Sequence, residues 1–415
     1  MNLQHILPTF NKKHIPIILI IIFSLCLHLL FLIVNPADPT PRDAGKYEKM
    51  AFQIINESIY GYNSEKPNAY VTPSHPFYLV VVFKISEWVN LNHETLTQIV
   101  NMVLSIGTIL LAYLIPKRLF KKELIALLSA LLLATYISPL HYFRTFLTET
   151  PATFMFYLSI FIFIIALEKK KYRWHILFGI LASLMIMWRS SPAPLLLFAA
   201  IIVFIKVGFK QAIQIGLLWC IGPLLIILPW VIRNFGIYGK AHVFSNHAGN
   251  PMLAGTNPYY LEDFQKDIMS VVRERDIPQK EYAIMRIKEG FKTQFELYFS
   301  WFTLGKTMWL FNSPANISTY NSVIDPAIRK LMYIHHFFIV LGGFLTGFLA
   351  LKHKRALCIF LVLLGYIAIS NMFLPTTRYG FVAIPLLCIL VSYGVVTFIE
   401  FLLGLIKRKK VTPTS

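Results

Sequence analysis

The sequence has few charged side chains for its length. Charged residues make up 14% of its 415 residues, and apolar residues make up 56%. Soluble domains typically carry about 25% charged residues. So little charge could not cover the surface of a soluble protein of this length. The composition therefore excludes an ordinary soluble protein and, with its long apolar runs, predicts a polytopic membrane protein.

Acidic residues are especially scarce, with 20 Asp and Glu against 39 Lys and Arg. The basic residues form clusters between apolar segments, such as "KRLFKK", "EKKKYR", "KHKR" and "KRKK". Basic residues concentrate in the cytoplasmic loops of membrane proteins. With an even number of spans, all these clusters fall on one side, which predicts two cytoplasmic termini. The net charge of +19 then reflects the basic residues of the cytoplasmic loops, and no nucleic-acid partner is expected.

Cysteine and the familiar cofactor motifs are also rare or missing. The four cysteines lie within apolar segments, where they are most simply small apolar residues. No HExxH, CxxC, Walker or dinucleotide motif occurs, and the histidines are scattered. No cofactor is therefore certain, and a divalent metal is possible but not indicated.

The apolar segments predict an all-α membrane protein of about ten transmembrane helices. Most segments approach the ~20 residues needed to cross ~30 Å of hydrocarbon. The fifth and sixth are short and adjacent, so they could form one helical hairpin. The first runs through Val34 without a small-residue cleavage site, so we expect it to be retained. The ten lie at about 15–34, 96–116, 123–141, 151–167, 174–188, 192–207, 211–232, 331–351, 356–373 and 379–402.

Two long segments lie outside the predicted spans, both on the predicted outer side. Residues 35–95 contain "AGKYEKMAFQIINESI", whose apolar residues recur at helical spacing, and "HPFYLVVVFKISEWV". We expect two juxtamembrane helices here, and we expect the prolines before Asp43 to turn the chain along the outer surface. Residues 233–330 predict short helices that form either a small cap, a lid or an acceptor-binding surface. We predict one membrane domain over 1–415 with these two outer elaborations.

Charge that would be costly in the membrane is concentrated at the outer ends of the spans. Ionisable groups at membrane depth usually pair with another polar group or line the pathway of a substrate or ion. The interiors of the ten spans lack Lys, Arg and Asp. The outer ends carry Asp43, Arg144, Glu149, Arg189, Arg233 and Arg378. This pattern predicts a cavity at the outer surface that holds two carboxylates and several arginines.

These residue types suit sugar transfer from a lipid phosphate. The planar guanidinium of Arg binds phosphate oxygens in a bidentate manner and would stabilise charge on a leaving phosphate. A carboxylate can take the proton from an acceptor hydroxyl that attacks the anomeric carbon. A direct displacement of this kind inverts the anomeric centre.

Each residue also has a simpler interpretation. Asp43 could be a helix N-cap, Glu149 could favour a helix N-terminus, and the arginines could be headgroup anchors. The main alternative function is a multi-pass transporter or flippase for a lipid-linked substrate, although that class usually places its polar groups near the bilayer midplane. Two further alternatives are another transferase that uses lipid-linked substrates, such as a polymer ligase, and a non-catalytic scaffold.

Six motifs in order resemble the GT-C superfamily of integral membrane glycosyltransferases, nearest to bacterial relatives of protein O-mannosyltransferases and aminoarabinose transferases. They cover most of the chain. The motifs are "RDAGKYEKMAFQI", "TPSHPFYLVVVF", "FLTETPATFMFYL", "GILASLMIMWRSSPAPLLL", "LPWVIRNFGIYGKAHVFSNHAGNPMLAGTNP" and "TTRYGFVAIPLL".

The resemblance implies a sugar transfer from a polyprenyl-phosphate donor at the outer face of the cell membrane. Asp43 would be the general base and Glu149 would assist it, while Arg233, Arg378 and Arg189 would bind the donor phosphate. Tyr379 and His75 would line the pocket.

The chain departs from that family at two places. Asp43 is followed by Ala44, where protein mannosyltransferases carry an adjacent acidic pair, and Ser74-His75 stands where some relatives have Lys. The acceptor therefore stays open among a glycolipid, a cell-wall polymer and a protein hydroxyl.

Overall fold

The computed structural model describes residues 14–34, 43–245, 249–320 and 322–411, with side chains up to residue 406. These residues form helices and turns, and no strand occurs among them. The all-α fold class is confirmed. Pro36, Pro39 and Pro41, which are predicted to turn the chain, lie outside the described residues.

The described residues contain nineteen α-helices. Short 3₁₀ and π turns also occur between α11 and α16. The helices are α1 (Ile15–Val34), α2 (Asp43–Glu57), α3 (Ser74–Trp88), α4 (His93–Phe120), α5 (Glu123–Ala134), α6 (Ile137–Tyr142), α7 (Glu149–Lys169), α8 (Tyr172–Trp188), α9 (Pro194–Trp219), α10 (Ile221–Tyr238), α11 (Gly249–Ala254), α12 (Met269–Glu274), α13 (Gln279–Thr293), α14 (Phe295–Ser300), α15 (Lys306–Leu310), α16 (Pro326–Leu349), α17 (Lys354–Ser370), α18 (Thr377–Phe381) and α19 (Ile384–Val411).

Seven of these helices are long and apolar enough to cross a membrane, namely α1, α4, α7, α9, α10, α16 and α19. Helices α5 and α8 are shorter apolar helices. Every predicted span has a helical counterpart, but the number of ten is not confirmed. The break in α9 at Gly208, whose φ is +78°, lies at the boundary between the sixth and seventh predicted spans. The seventh predicted span is divided again at Cys220, between α9 and α10.

The helix ends follow local sequence chemistry. Asn92 accepts a hydrogen bond from the Glu94 backbone N–H at the start of α4, and Asp325 caps α16 in the same way ahead of Pro326. At the other ends, Lys121 and Lys170 adopt the left-handed conformation after α4 and α7. These capped ends fix where each helix enters and leaves the bundle.

The basic clusters meet at one end of the bundle. Arg118 at the end of α4 pairs with Glu168 at the end of α7, and Lys122 pairs with Glu400 of α19. Arg355 donates a hydrogen bond to the Leu119 carbonyl from the start of α17. The clusters therefore share an end, as the sequence predicts. The side of the membrane that this end faces stays a prediction.

Helices α8 and α10 approach closely at two glycines. A Cβ on Gly222 would lie 2.0 Å from the Gly179 carbonyl oxygen, and a Cβ on Gly179 would lie 2.5 Å from the Trp219 carbonyl oxygen. Only glycine permits this backbone contact. The contact sets how closely the middle of α8 packs against the start of α10.

The two predicted outer segments are helical, as expected. Helix α2 buries Ala44, Met50 and Ala51 on the predicted apolar face, and it packs against α3. The later segment consists of short helices, and its buried Lys306 donates a hydrogen bond to the Asn371 carbonyl oxygen at 2.7 Å. Burial lowers the pKa of Lys306 to about 6. This contact attaches the later segment to the end of α17.

Candidate active site

A cavity of about 260 Å³ opens at the end of the bundle opposite the basic clusters. Its walls come from chain segments that are far apart in sequence: the start of α2, the end of α8, and α18. Its polar and aromatic lining includes Asp43, Tyr47, Tyr62, Trp188, Arg189, Arg378 and Tyr379. We call it the site cavity.

Glu149 lies at the start of α7, against the wall of the site cavity, and is fully buried. Arg189 Nη2 donates a hydrogen bond to Glu149 Oε1 at 2.9 Å. Arg378 donates from Nε to Oε1 and from Nη2 to Oε2, the latter at 3.3 Å. A buried carboxylate requires such partners because burial without them is very costly. Glu149 therefore fixes the orientation of two arginines.

Asp43 lies across Arg378 from Glu149. Its Oδ2 is 3.4 Å from Arg378 Nη1, and its Oδ1 is 3.6 Å from Lys46 Nζ. Its side chain is 48% exposed, in contrast to that of Glu149. Helix α2 begins at Asp43 itself. Asp43 is therefore the carboxylate of this pair that an incoming molecule can reach.

Arg378 connects the two carboxylates. Burial would lower its pKa, but the charge of Glu149 and the hydrogen bonds to it raise the pKa of Arg378 above its ordinary value. Arg189 is also held by a ring, with its guanidinium 4.9 Å from the centre of the Tyr379 ring. Its Nη1 is buried and has no hydrogen-bond partner in the described part of the chain. The arginines are thus rigidly placed, and one donor remains available.

Tyr47 and Lys46 belong to this site, but the sequence interpretation missed both. Lys46 and Tyr47 stand three and four residues after Asp43 on α2, so helical spacing alone could have indicated them. Burial raises the pKa of Tyr47 to about 12, so its hydroxyl stays protonated and can donate a hydrogen bond at neutral pH. With Lys46, Arg189 and Arg378, three cations face two carboxylates, and the site is suited to a ligand with one negative charge.

Arg233 does not line the site cavity. Its guanidinium donates to the backbone carbonyls of Asn68 and Tyr60, each at 3.1 Å, and stacks on the rings of Tyr60 and Trp230. These contacts attach the end of α10 to the first outer segment. The phosphate-binding role of Arg233 stays a prediction, and its donors are largely engaged elsewhere.

His75 lies behind Tyr47 rather than in the lining. Its Nε2 donates to the Phe146 carbonyl at 2.8 Å, so its Nδ1 accepts from Trp188 Nε1 at 3.3 Å. Burial lowers the pKa of His75 to about 4, which keeps the ring neutral. Its edge contact with the Tyr47 ring supports the cavity wall from behind.

Arg144 is likewise buried away from the site cavity. It donates to the Tyr320 hydroxyl and to the Phe31 carbonyl, the latter at 3.3 Å. It therefore joins the end of α1 to the later outer segment. The structure brings Asp43, Glu149, Arg189, Arg378 and Tyr379 together, and it places Arg144, Arg233 and His75 around them.

A separate group of side chains could hold a metal ion. Glu48, His93 and Glu94 each offer one ligand atom, and these atoms lie within 4.8 Å of one another. His93 Nε2 is 2.8 Å from Glu48 Oε1, which is also an ordinary hydrogen-bond distance. None of the three lines the site cavity. The prediction from the sequence, that a divalent metal is possible but not indicated, is not tested by this group.

Comparisons with known proteins address the fold and part of the sequence. The family model described as dolichyl-phosphate-mannose-protein mannosyltransferase matches residues 72–232, a range that includes Glu149 and Arg189 but neither Asp43 nor Arg378. No curated protein sequence matches the chain significantly.

Solved structures match over nearly the whole chain. The apo oligosaccharyltransferase of Archaeoglobus fulgidus matches with a TM-score of 0.56 and 14% identity, over 97% of this chain and 53% of that one. The same organism's AglB, bound to an inhibitory peptide and a dolichol-phosphate, matches with a TM-score of 0.55 at 14% identity, over 98% of this chain and 53% of that one. The chain thus spans about half the length of these proteins. ArnT from Cupriavidus metallidurans, bound to undecaprenyl phosphate, matches with a TM-score of 0.45 at 12% identity, over 92% of this chain and 78% of that one.

Proposed function

We propose, from the confirmed resemblance to GT-C membrane glycosyltransferases and from the charges that meet in the site cavity, that the chain transfers a sugar from a polyprenyl-phosphate donor to an acceptor hydroxyl. The observation that carries the proposal is the arrangement around Arg378. This one guanidinium is fixed by a buried carboxylate and also touches an exposed carboxylate. This arrangement supports a phosphate-binding role for Arg378 beside a proton-accepting role for Asp43.

The donor phosphate would bind at the arginines. A polyprenyl-phosphate sugar carries one negative charge, which matches the excess of three cations over two carboxylates. Arg189 would offer its unpartnered Nη1, and Arg378 would turn Nη1 from Asp43 towards a phosphate oxygen. Both arginines would stabilise the second negative charge that develops on the leaving phosphate.

Asp43 would act as the general base. The acceptor oxygen attacks the anomeric carbon and the bond from that carbon to the phosphate oxygen breaks, with its electron pair going to the phosphate. The acceptor proton passes to Asp43, whose carboxylate is exposed enough to meet it. A single displacement inverts the anomeric centre. Glu149 holds both arginines during this step and takes no proton.

Placement in the membrane belongs to the same proposal. The site cavity lies at the end of the bundle opposite the basic clusters, which supports an active site on the outer face and cytoplasmic termini. One membrane domain over 1–415 would carry the outer segments 35–95 and 233–330.

The test is sugar transfer by purified protein in lipid vesicles, with a panel of polyprenyl-phosphate hexoses and pentoses. We expect wild type to release free polyprenyl phosphate, and Asp43→Asn to lose at least about a hundredfold in rate, as removal of a general base does. The matched control is Glu87→Gln, which changes an exposed carboxylate of α3 that pairs with Lys84 outside the site cavity.

Each outcome has a distinct meaning. Equal release by wild type and Asp43→Asn would remove Asp43 from the chemistry. If folded wild type released no polyprenyl phosphate from any donor but moved the intact donor across the vesicle membrane, the transporter alternative would replace the enzyme.

A further inference from the structure

A second cavity lies beside the site cavity, along the exposed face of α2. Its volume is about 390 Å³, and it lies between α2 and the loop at residues 61–65. Polar side chains dominate its lining, including Lys46, Lys49, Gln53, Asn56 and Glu57. We call it the α2 groove. The proposed mechanism above assigns it no role.

The α2 groove is preformed. Gln53 Nε2 donates a hydrogen bond to the Ser64 carbonyl oxygen at 3.0 Å, which ties the loop to the helix. The Ser64 hydroxyl closes the loop by donating to the Lys66 carbonyl oxygen and accepting from the Lys66 backbone N–H. At Gly61 a Cβ would lie 2.4 Å from the Ser64 carbonyl oxygen, so the loop backbone folds tightly on itself. A wall held in this way loses little entropy when a ligand binds.

The α2 groove begins at the proposed base. Lys46, which lines the groove, is 3.6 Å from Asp43 Oδ1, and Arg378 is 3.4 Å from Asp43 Oδ2. The two oxygens of Asp43 therefore face different neighbours, the groove on one side and the arginines on the other. An acceptor hydroxyl that approached from the groove would reach Oδ1 while the donor phosphate occupied the arginine side.

The polar residues of α2 form a track that leads away from Asp43. Lys46, Gln53 and Glu57 follow it at offsets of three, ten and fourteen residues, which place them on one helical face. At about 1.5 Å rise per residue, the track is roughly 20 Å long. That length suits a chain-like molecule rather than a single small alcohol.

The chemistry of the lining favours a polyhydroxylated chain. Amide, ammonium and carboxylate groups can all exchange hydrogen bonds with sugar hydroxyls. The lining carries charges of both signs, from Lys46 and Lys49 and from Glu57 and Glu65, and Lys46 also lies 3.6 Å from Asp43.

We propose that the α2 groove binds the acceptor and that this acceptor is a glycan. The inference rests on the proposed function, since it places the attacking hydroxyl on a terminal sugar next to Asp43. The glycan could be the headgroup of a glycolipid or part of a free polymer. The same side chains would recognise both forms.

The first experiment identifies the acceptor class. Wild-type protein in vesicles receives the polyprenyl-phosphate donor that supports release, with a radiolabelled sugar, and a cell envelope fraction from cells that lack the gene. Label in the glycolipid extract or in the polymeric glycan supports the proposal and distinguishes the two sources. Label in protease-sensitive protein, or label found only as free sugar, overturns it. Absence of any polyprenyl phosphate release counts instead against the proposed function.

The second experiment tests the groove with the glycan fraction that takes up label. Asn56→Trp fills the far part of the groove, thirteen residues from Asp43, and we expect the KM for the glycan to rise about tenfold or more. The KM for the donor should move less than about threefold. Asn56→Ala, which removes only the amide, should shift the KM for the glycan in the same direction by less.

The control is Lys84→Trp, a similar change at an exposed position of α3 that lines neither cavity. It should leave both KM values unchanged. An unchanged KM for the glycan in Asn56→Trp, in protein that elutes and melts like wild type, would overturn the groove as the acceptor site.

Discussion

Glu149→Gln is the substitution that most directly tests the electrostatics of the site. The side chain is fully buried, and its two oxygens accept hydrogen bonds from Arg189 and Arg378. Glutamine has the same shape but no charge, and one of its two terminal atoms is a donor. That atom would face a guanidinium N–H, so at least one of the three hydrogen bonds is lost. Two arginines would then share the site with only the more exposed carboxylate of Asp43 as a counter-charge.

The expected loss of stability and activity follows from the lost charge and hydrogen bonds of Glu149. Removing one partner of a buried ion pair typically costs about 3–5 kcal/mol. The displaced arginines would also bind the leaving phosphate less well, and loss of one such donor typically costs about 3 kcal/mol of transition-state stabilisation. This corresponds to roughly a hundredfold in kcat/KM, because each ~1.4 kcal/mol is a factor of ten. We therefore expect Glu149→Gln to lower kcat/KM about a hundredfold and to lower the melting temperature. The assays are polyprenyl phosphate release and the loss of monodisperse protein on heating in detergent.

A double-mutant cycle distinguishes a direct interaction between Glu149 and Arg189 from a general loss of stability. Arg189→Met removes one of the two cations, so the double variant has one cation facing a neutral amide instead of two. We expect the stability losses to be less than additive by about 1–3 kcal/mol. The matched control is Glu168→Gln, whose partner Arg118 is 37% exposed and whose pair should contribute at most about 1 kcal/mol. Additive losses, within about 0.5 kcal/mol, would refute the inference that Glu149 holds the arginines by charge.

Two further predictions concern residues around the site. Arg233→Met should lower the melting temperature, because the guanidinium of Arg233 joins α10 to the first outer segment. The KM for the donor should change less than about threefold. A donor KM raised tenfold or more would instead show that Arg233 binds the donor phosphate. Lys306 has a pKa of about 6 when folded, below its ordinary 10.5, so the unfolded chain binds more protons between these values and the free energy of unfolding rises with pH across that window. Wild type should therefore gain stability relative to Lys306→Met, by up to a few kcal/mol, between about pH 7 and pH 9.5. An equal pH dependence of the two melting temperatures would show that Lys306 is charged in the folded protein.

The helices were largely predictable because each spanning helix is a continuous run of apolar residues in the sequence. Apolar runs of spanning length gave the position of each helix, and the spacing of Met50 and Ala51 gave the buried face of α2. The exact ends were less predictable. The division of the seventh predicted span at Cys220 and the stop of α5 at Ala134 depend on backbone conformations that the apolar pattern does not encode.

The candidate site was predictable in its residue types but not in its pairing. All the charges at one end of the spans have the same sequence signature, and only packing decides which of them meet. Arg189 and Arg378 reach Glu149, whereas Arg233 bonds to backbone carbonyls. The sequence could not show that His75 lies behind the cavity wall instead of lining the cavity. Its position depends on a hydrogen bond to the carbonyl of Phe146, which is 71 residues away.

The position of Arg378 late in the chain has a consequence for synthesis. Arg189 follows Glu149 by 40 residues, but Arg378 follows Asp43 by 335. At about 5–20 residues per second, the ribosome takes roughly 20–70 s to add those residues. During that interval the nascent protein can pair Glu149 only with Arg189, and Asp43 has no guanidinium beside it. The arrangement proposed for catalysis would therefore form only after the segment that carries Arg378 has emerged from the ribosome, and chains that terminate before it would insert into the membrane without the proposed activity.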